Sequence, residues 1–76
     1  INKNELLKIA ATVLKVDSKD IKDNFKELPE INACYFWVPG RGGISVIVNE
    51  NGEKLSATSR VSLERHIEAF KNGKRN

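Results

Sequence analysis

The stretch PGRGG at residues 39–43 presents the first chemistry to weigh, because Gly40, Gly42 and Gly43 bare backbone N–H groups and Arg41 supplies a cation among them. A loop of this kind could cradle an anion. The phosphate-binding versions need GxxxxGK followed by Ser or Thr, or GxGxxG, and then a helix whose N-terminus meets the phosphate. Here ISVIV follows, a β-branched run that reads as a strand. The glycines are therefore assigned to a turn, with Arg41 as a contact at its tip. His66 is the only histidine and Cys34 the only cysteine, so the chain cannot assemble a zinc site or an internal disulfide. Asp17, Asp20 and Asp23 lack the glycine and terminal glutamate of a calcium loop. His66 falls one turn from Leu63 and Phe70 and reads as a packing residue. Cys34 belongs to an apolar strand face, where a thiol is inert. With no base, nucleophile or metal to nominate, the expectation is a non-enzyme with no catalytic residue, no cofactor and no small-molecule substrate.

Tyr35 and Trp37 carry a different kind of chemistry. They flank Phe36 in ACYFWV, so a strand would send Phe36 to one face and the two amphipathic aromatics to the other. Such rings serve as anchors in protein interfaces or as stacking platforms for bases.

Several elements must position these residues. Leu6, Ile9, Ala10, Val13 and Leu14 recur at helical spacing, with Asn4 as the expected N-cap and Glu5 in the first turn. A second helix is expected after Asp17 or Ser18, with Ile21, Phe25 and Leu28 as its stripe and Pro29 as its end. From Ala33 the period changes to 2. ACYFWV, ISVIV and EKLSAT read as strands, joined by residues 39–43 and by a two-residue turn at Asn51-Gly52. A last helix carries Leu63, Ile67 and Phe70, capped by Ser59 or Ser62 and stopped by Gly73. The expected fold is one small α+β domain over residues 1–76. Its order is α-α-β-β-β-α, a three-stranded antiparallel meander with helices packed on one face.

The turn lengths assign the sheet faces. Val38 should pair with Ile44, Phe36 with Val46 and Cys34 with Val48, while the Asn51-Gly52 turn pairs Val48 with Leu55 and Val46 with Ala57. One face then holds Cys34, Phe36, Val38, Ile44, Val46, Val48, Leu55 and Ala57, the expected core. The other holds Ala33, Tyr35, Trp37, Ser45, Ile47, Lys54, Ser56 and Thr58. Whether a helix covers that second face is left open by the sequence.

Composition bounds the partners. The chain has 76 residues, 39% hydrophobic and 30% charged, which suits a folded domain. No run approaches the roughly 18 apolar residues of a membrane span, so no membrane partner is expected and a cytoplasmic location is the default. Residues 1–38 hold six basic and six acidic groups, while residues 39–76 hold seven and four, so the net charge of +3 lies in the second half. The segment ISVIVNENGEKLSATSRVSLERHIEAFKNG, residues 44–73, is similar in layout and in its closing AFKNG to a phage-encoded anti-CRISPR family. That resemblance implies a small inhibitor that occupies a partner's nucleic-acid site with acidic groups, and this basic chain has no acidic cluster to do so. The leading expectation is a binding module, phage-like or bacterial in style. Tyr35, Trp37 and Ile47 would be its apolar centre, Arg41 and Lys54 its rim, and a protein or a second copy of the chain its partner. The alternative is single-stranded nucleic acid on Tyr35 and Trp37, with Arg41, Lys54, Lys71, Lys74 and Arg75 neutralising phosphates.

Overall fold

The first helix, α1, spans Lys3–Leu14 in the computed structural model, which describes residues 3–38, 44–58 and 60–75. Its buried side is Leu6, Ala10, Ala11 and Leu14, the stripe that the spacing predicts. The helix begins ahead of Asn4, which therefore sits in the first turn and is not the cap. It stops in a left-handed residue, Lys15, at φ +59°. The Lys15 N–H then donates to the Thr12 carbonyl and the Val16 N–H to that of Ala11, closing the end of the helix.

The expected second helix is corrected most. Only one turn forms, α2 at Ser18–Ile21, and Phe25–Leu28 is a strand, β1. Asp17 precedes α2 in extended backbone but makes no side-chain cap bond. Ile21, Phe25 and Leu28 fit a helical stripe, yet Asp23 and Asn24 between them are poor helix formers. The strand resolves the ambiguity by facing. Phe25 packs with α1, while Leu28 is buried on the opposite side of the sheet. Pro29 ends no helix; it opens a 3-10 turn, Pro29–Ile31, and Asn32 at φ +51° completes the reversal. That reversal folds β1 back on β2, Ala33–Trp37, whose second edge would otherwise lack partners.

The sheet therefore has four strands rather than three: β1, β2, β3 at Ser45–Asn49 and β4 at Lys54–Ala57, an antiparallel meander in that order. The β2–β3 register matches expectation, with Phe36 opposite Val46 and Cys34 opposite Val48. The β3–β4 register is displaced by one residue: Val48 meets Lys54 and Ile47 meets Leu55. The turn is three residues long, not two. The Gly52 N–H donates to the Asn49 carbonyl at 3.0 Å, and Gly52 itself is left-handed at φ +82°. A turn followed by a left-handed glycine is the usual geometry of three-residue hairpin loops. The slip turns Leu55 and Ala57 away from α1 and puts Lys54 and Ser56 on its side.

Helices cover both faces, not one. Against α1 and α2 lie Cys34, Phe36, Val38, Val46 and Val48. Ile44, assigned to this core from the sequence, is 40% exposed. On the other face the last helix, α3 at Leu63–Lys71, seats Phe70 and Ile67 against Leu28, Ala33, Ile47 and Leu55. Ser62 caps α3 by accepting from the Arg65 N–H, and Gly73 at φ +91° terminates it. Ser59 lies outside the described residues.

Candidate functional site

Strand alternation places Lys26, Tyr35, Ile47 and Leu55 in one row across the four strands, on the α3 side of the sheet. Trp37 starts the next row, opposite Ser45 on β3, which in turn meets Ala57 on β4. Tyr35 and Trp37 are next-but-one neighbours on β2, and their ring centroids lie 5.6 Å apart at 31°. His66 of α3 approaches Tyr35 from the other side, edge-on at 5.9 Å. The three rings thus form a line along the face, from the rim of the sheet to the underside of α3. Both Tyr35 and Trp37 are half-buried. The cover is therefore partial: α3 shields one end of the row and leaves the β1–β2 end accessible.

The other predicted members of this surface fare differently. Ile47 is on the expected face but 0% exposed, sealed beneath α3 by Phe70, so it belongs to the core rather than to a contact surface. Lys54 is on the opposite face, a consequence of the three-residue turn, and cannot rim the aromatic pair. Arg41 lies outside the described residues. In place of Lys54 the structure brings Lys26, exposed and directly across from Tyr35. Sequence reasoning missed it because it assigned Lys26 to a helix. Its signal was the FKEL run itself, which fits a strand as well as a helix.

The basic tail is divided. Lys71 and Lys74 are exposed. Arg75 is already engaged: its guanidinium stacks over the Phe70 ring at 3.7 Å, and its Nη1 donates to the carbonyls of Phe70 and Lys74. Its Nε lies 3.5 Å from Glu53 Oε2. Glu53 in turn accepts from Asn49 Nδ2 at 2.9 Å, so Arg75 straps the end of α3 to the β3–β4 turn. This end of α3 lies beside Ala33, four residues along β2 from Trp37 and so about 13 Å away at the rise of a strand.

Cys34 and His66 are not brought together, for the sheet lies between them. Burial pushes the Cys34 thiol above its ordinary pKa, the nearby Glu27 carboxylate pushes it further, and Lys3 opposes both. Next to it an open depression of about 230 Å³ is lined by Leu6, Glu27, Pro29, Asn32, Ala33 and Glu50. His66 is 1% exposed and its Nε2 lies 2.6 Å from the Leu55 carbonyl. Burial lowers its pKa, while the hydrogen bond to that carbonyl pulls the other way. Neutral imidazole with the proton on Nε2 satisfies this arrangement, which makes His66 a packing and hydrogen-bonding residue. Among the described residues, no group of three His, Cys, Asp or Glu side chains is placed to hold a metal ion, and no helix is long and apolar enough to cross a membrane.

Among the described residues, the arrangement is an aromatic pair with Lys26 beside it, on a sheet face that its own helix covers in part. No protein-family model matches the chain, and no curated protein or solved structure matches it.

Proposed function

We propose that the chain is a small binding module that docks a protein partner on the Tyr35–Trp37 pair, with Lys26 at the rim. The observation that carries this reading is the pair itself: two half-buried rings, 5.6 Å apart, held on a central strand of a sheet face that α3 leaves partly open. Aromatic side chains fixed by backbone structure lose little freedom on binding, and Trp and Tyr dominate interface hot spots. The partner is another protein or a second copy of the chain. Single-stranded nucleic acid fits the site less well, because Lys54 faces away and Arg75 is spent on Glu53 and Phe70.

The test compares the wild type with Trp37→Ala, after circular dichroism has shown that the variant folds. Sedimentation over a range of concentrations reads self-association, and affinity capture followed by mass spectrometry reads other protein partners. Association or capture that is strong in the wild type and lost by tenfold or more in the variant supports the reading. Equal behaviour of the two overturns it. Quenching of Trp37 by single-stranded DNA or RNA that weakens steeply with salt would replace it with nucleic-acid binding.

A further inference from the structure

Among the described residues, few groups hold α3 on the sheet. Ile67 and Phe70 pack into the cluster of Leu28, Ala33 and Ile47. His66 meets the Leu55 carbonyl, and Arg75 reaches Glu53. A nine-residue helix is not stable in water by itself, so its helicity depends on this docking. Among the described residues, the cluster between α1 and the sheet is separate and uses no residue of α3.

His66 is the vulnerable member of the contact. Its Nε2 is committed to Leu55, and its Nδ1 is buried with no hydrogen-bond partner among the described residues. The neutral ring tolerates this, because an unpaired Nδ1 is a single unfilled acceptor. A protonated ring would carry a second N–H, and a positive charge, into a place where no described residue receives either. We infer that His66 makes α3 a proton-released cover: protonation lifts the helix from the sheet, adding Ile47 and Leu55 to the surface that Tyr35 and Trp37 already offer, while α1 and the sheet stay folded.

The surroundings of the ring support this sense. From β2 it faces the Tyr35 ring and from β4 the Leu55 carbonyl, while Ile47 of β3 is buried under the same helix. Glu53, two residues before Leu55 and just ahead of β4, is occupied by Arg75 and Asn49. From β1, Lys26 stands across from Tyr35 on the same face and disfavours a second cation. On α3 itself Glu64, Arg65 and Glu68 are exposed. Burial lowers the His66 pKa below its ordinary 6.5. The undocked helix therefore takes up a proton that the docked one refuses. Docking is at full strength above about pH 6.5 and weakens as pH falls, the opening constant rising up to about tenfold per pH unit until the docked pKa is reached.

Hydrogen exchange of the full chain at pH 7.5 and pH 5.5, resolved by residue, tests the idea. His66 is the only histidine, so it is the side chain expected to titrate across that interval. The expected result is a loss of protection in residues 66–71 of five-fold or more, with α1 and β2–β3 unchanged, and no such loss in His66→Gln. The glutamine amide can still donate to Leu55 but cannot titrate. Unchanged α3 protection overturns the inference, as does an equal loss in α1 and the sheet, or a pH dependence that survives in His66→Gln. Should that variant not fold, the ring pKa of the wild type decides by NMR: a value at or above 6.5 overturns the inference. A lower value, with α3 signals moving in step with the ring, upholds it.

Discussion

Lys15 holds a backbone conformation that L residues with a Cβ adopt at a cost of roughly 1–2 kcal/mol, and it does so because α1 must stop there for α2 to turn back. Nothing in the side chain favours φ +59°; Asn32, the other non-glycine residue at positive φ among the described residues, is of a type that tolerates it. Lys15→Gly is therefore expected to stabilise the fold by about 0.5–1 kcal/mol, the relief of strain exceeding the extra entropy of a glycine in the unfolded chain. The check is a urea titration, in which the midpoint rises and the slope stays constant. Gly73 was legible in the sequence as a helix stop, since its residue type announces the conformation; Lys15 was not, since lysine carries no such signal. The same contrast runs through the candidate site. Tyr35 and Trp37 were legible because alternation along ACYFWV fixes their side. Ile47 shares that side and was misjudged, because alternation assigns a face but does not say what lies over it. The helix that buries Ile47 arrives from twenty residues later in the chain.

At the scale of elements, two local patterns had two solutions each, and tertiary pairing chose. The stripe Ile21, Phe25, Leu28 satisfied a helix, but one more strand satisfied the bare edge of β2. Asn51-Gly52 suggested a two-residue turn, but Asn49 builds a longer one. Its Oδ1 accepts from the Asn51 and Glu53 N–H groups at 3.0 and 2.9 Å, and its Nδ2 donates to Glu53. Asn49 is thus the register-setting residue, and the side to which Lys54 and Leu55 point follows from it. Asn49→Ala leaves two partly buried N–H groups without their acceptor and is expected to cost about 1–3 kcal/mol. Thermal unfolding reads the loss. Gly52→Ala tests the backbone alone, because a methyl group there would meet Ile9 at an ordinary 3.7 Å. Its cost, about 1–2 kcal/mol, comes from positive φ and not from crowding. Ser62→Ala removes the cap of α3 and is expected to cost about 1 kcal/mol, within the 0.5–2 found for such caps.

On the scale of the whole molecule, the sheet divides two cores of unequal strength, and this asymmetry decides how the domain fails. The side facing α1 holds Ile21, Phe36, Val46 and Val48, each essentially without solvent contact. The side facing α3 holds Ile47 and Phe70 and closes with a histidine and an arginine. A chain of 76 residues has about 4–11 kcal/mol of stability to draw on. Phe36→Ala, at about 3–5 kcal/mol, removes most of that from the central strand and the α1 core together. Its urea transition is expected to fall sharply and to coincide by circular dichroism and by Trp37 fluorescence, since helix and sheet go at once. Phe70→Ala removes a ring of the same size, but its loss can be met by undocking α3 while the α1 core holds. Exchange protection in residues 66–71 is then expected to collapse well before that of β2 and β3, and the two optical transitions to separate. Coincident transitions in both variants would mean that the two cores fold as one unit, and α3 would then be a fixed part of the domain instead of a cover over its aromatic face.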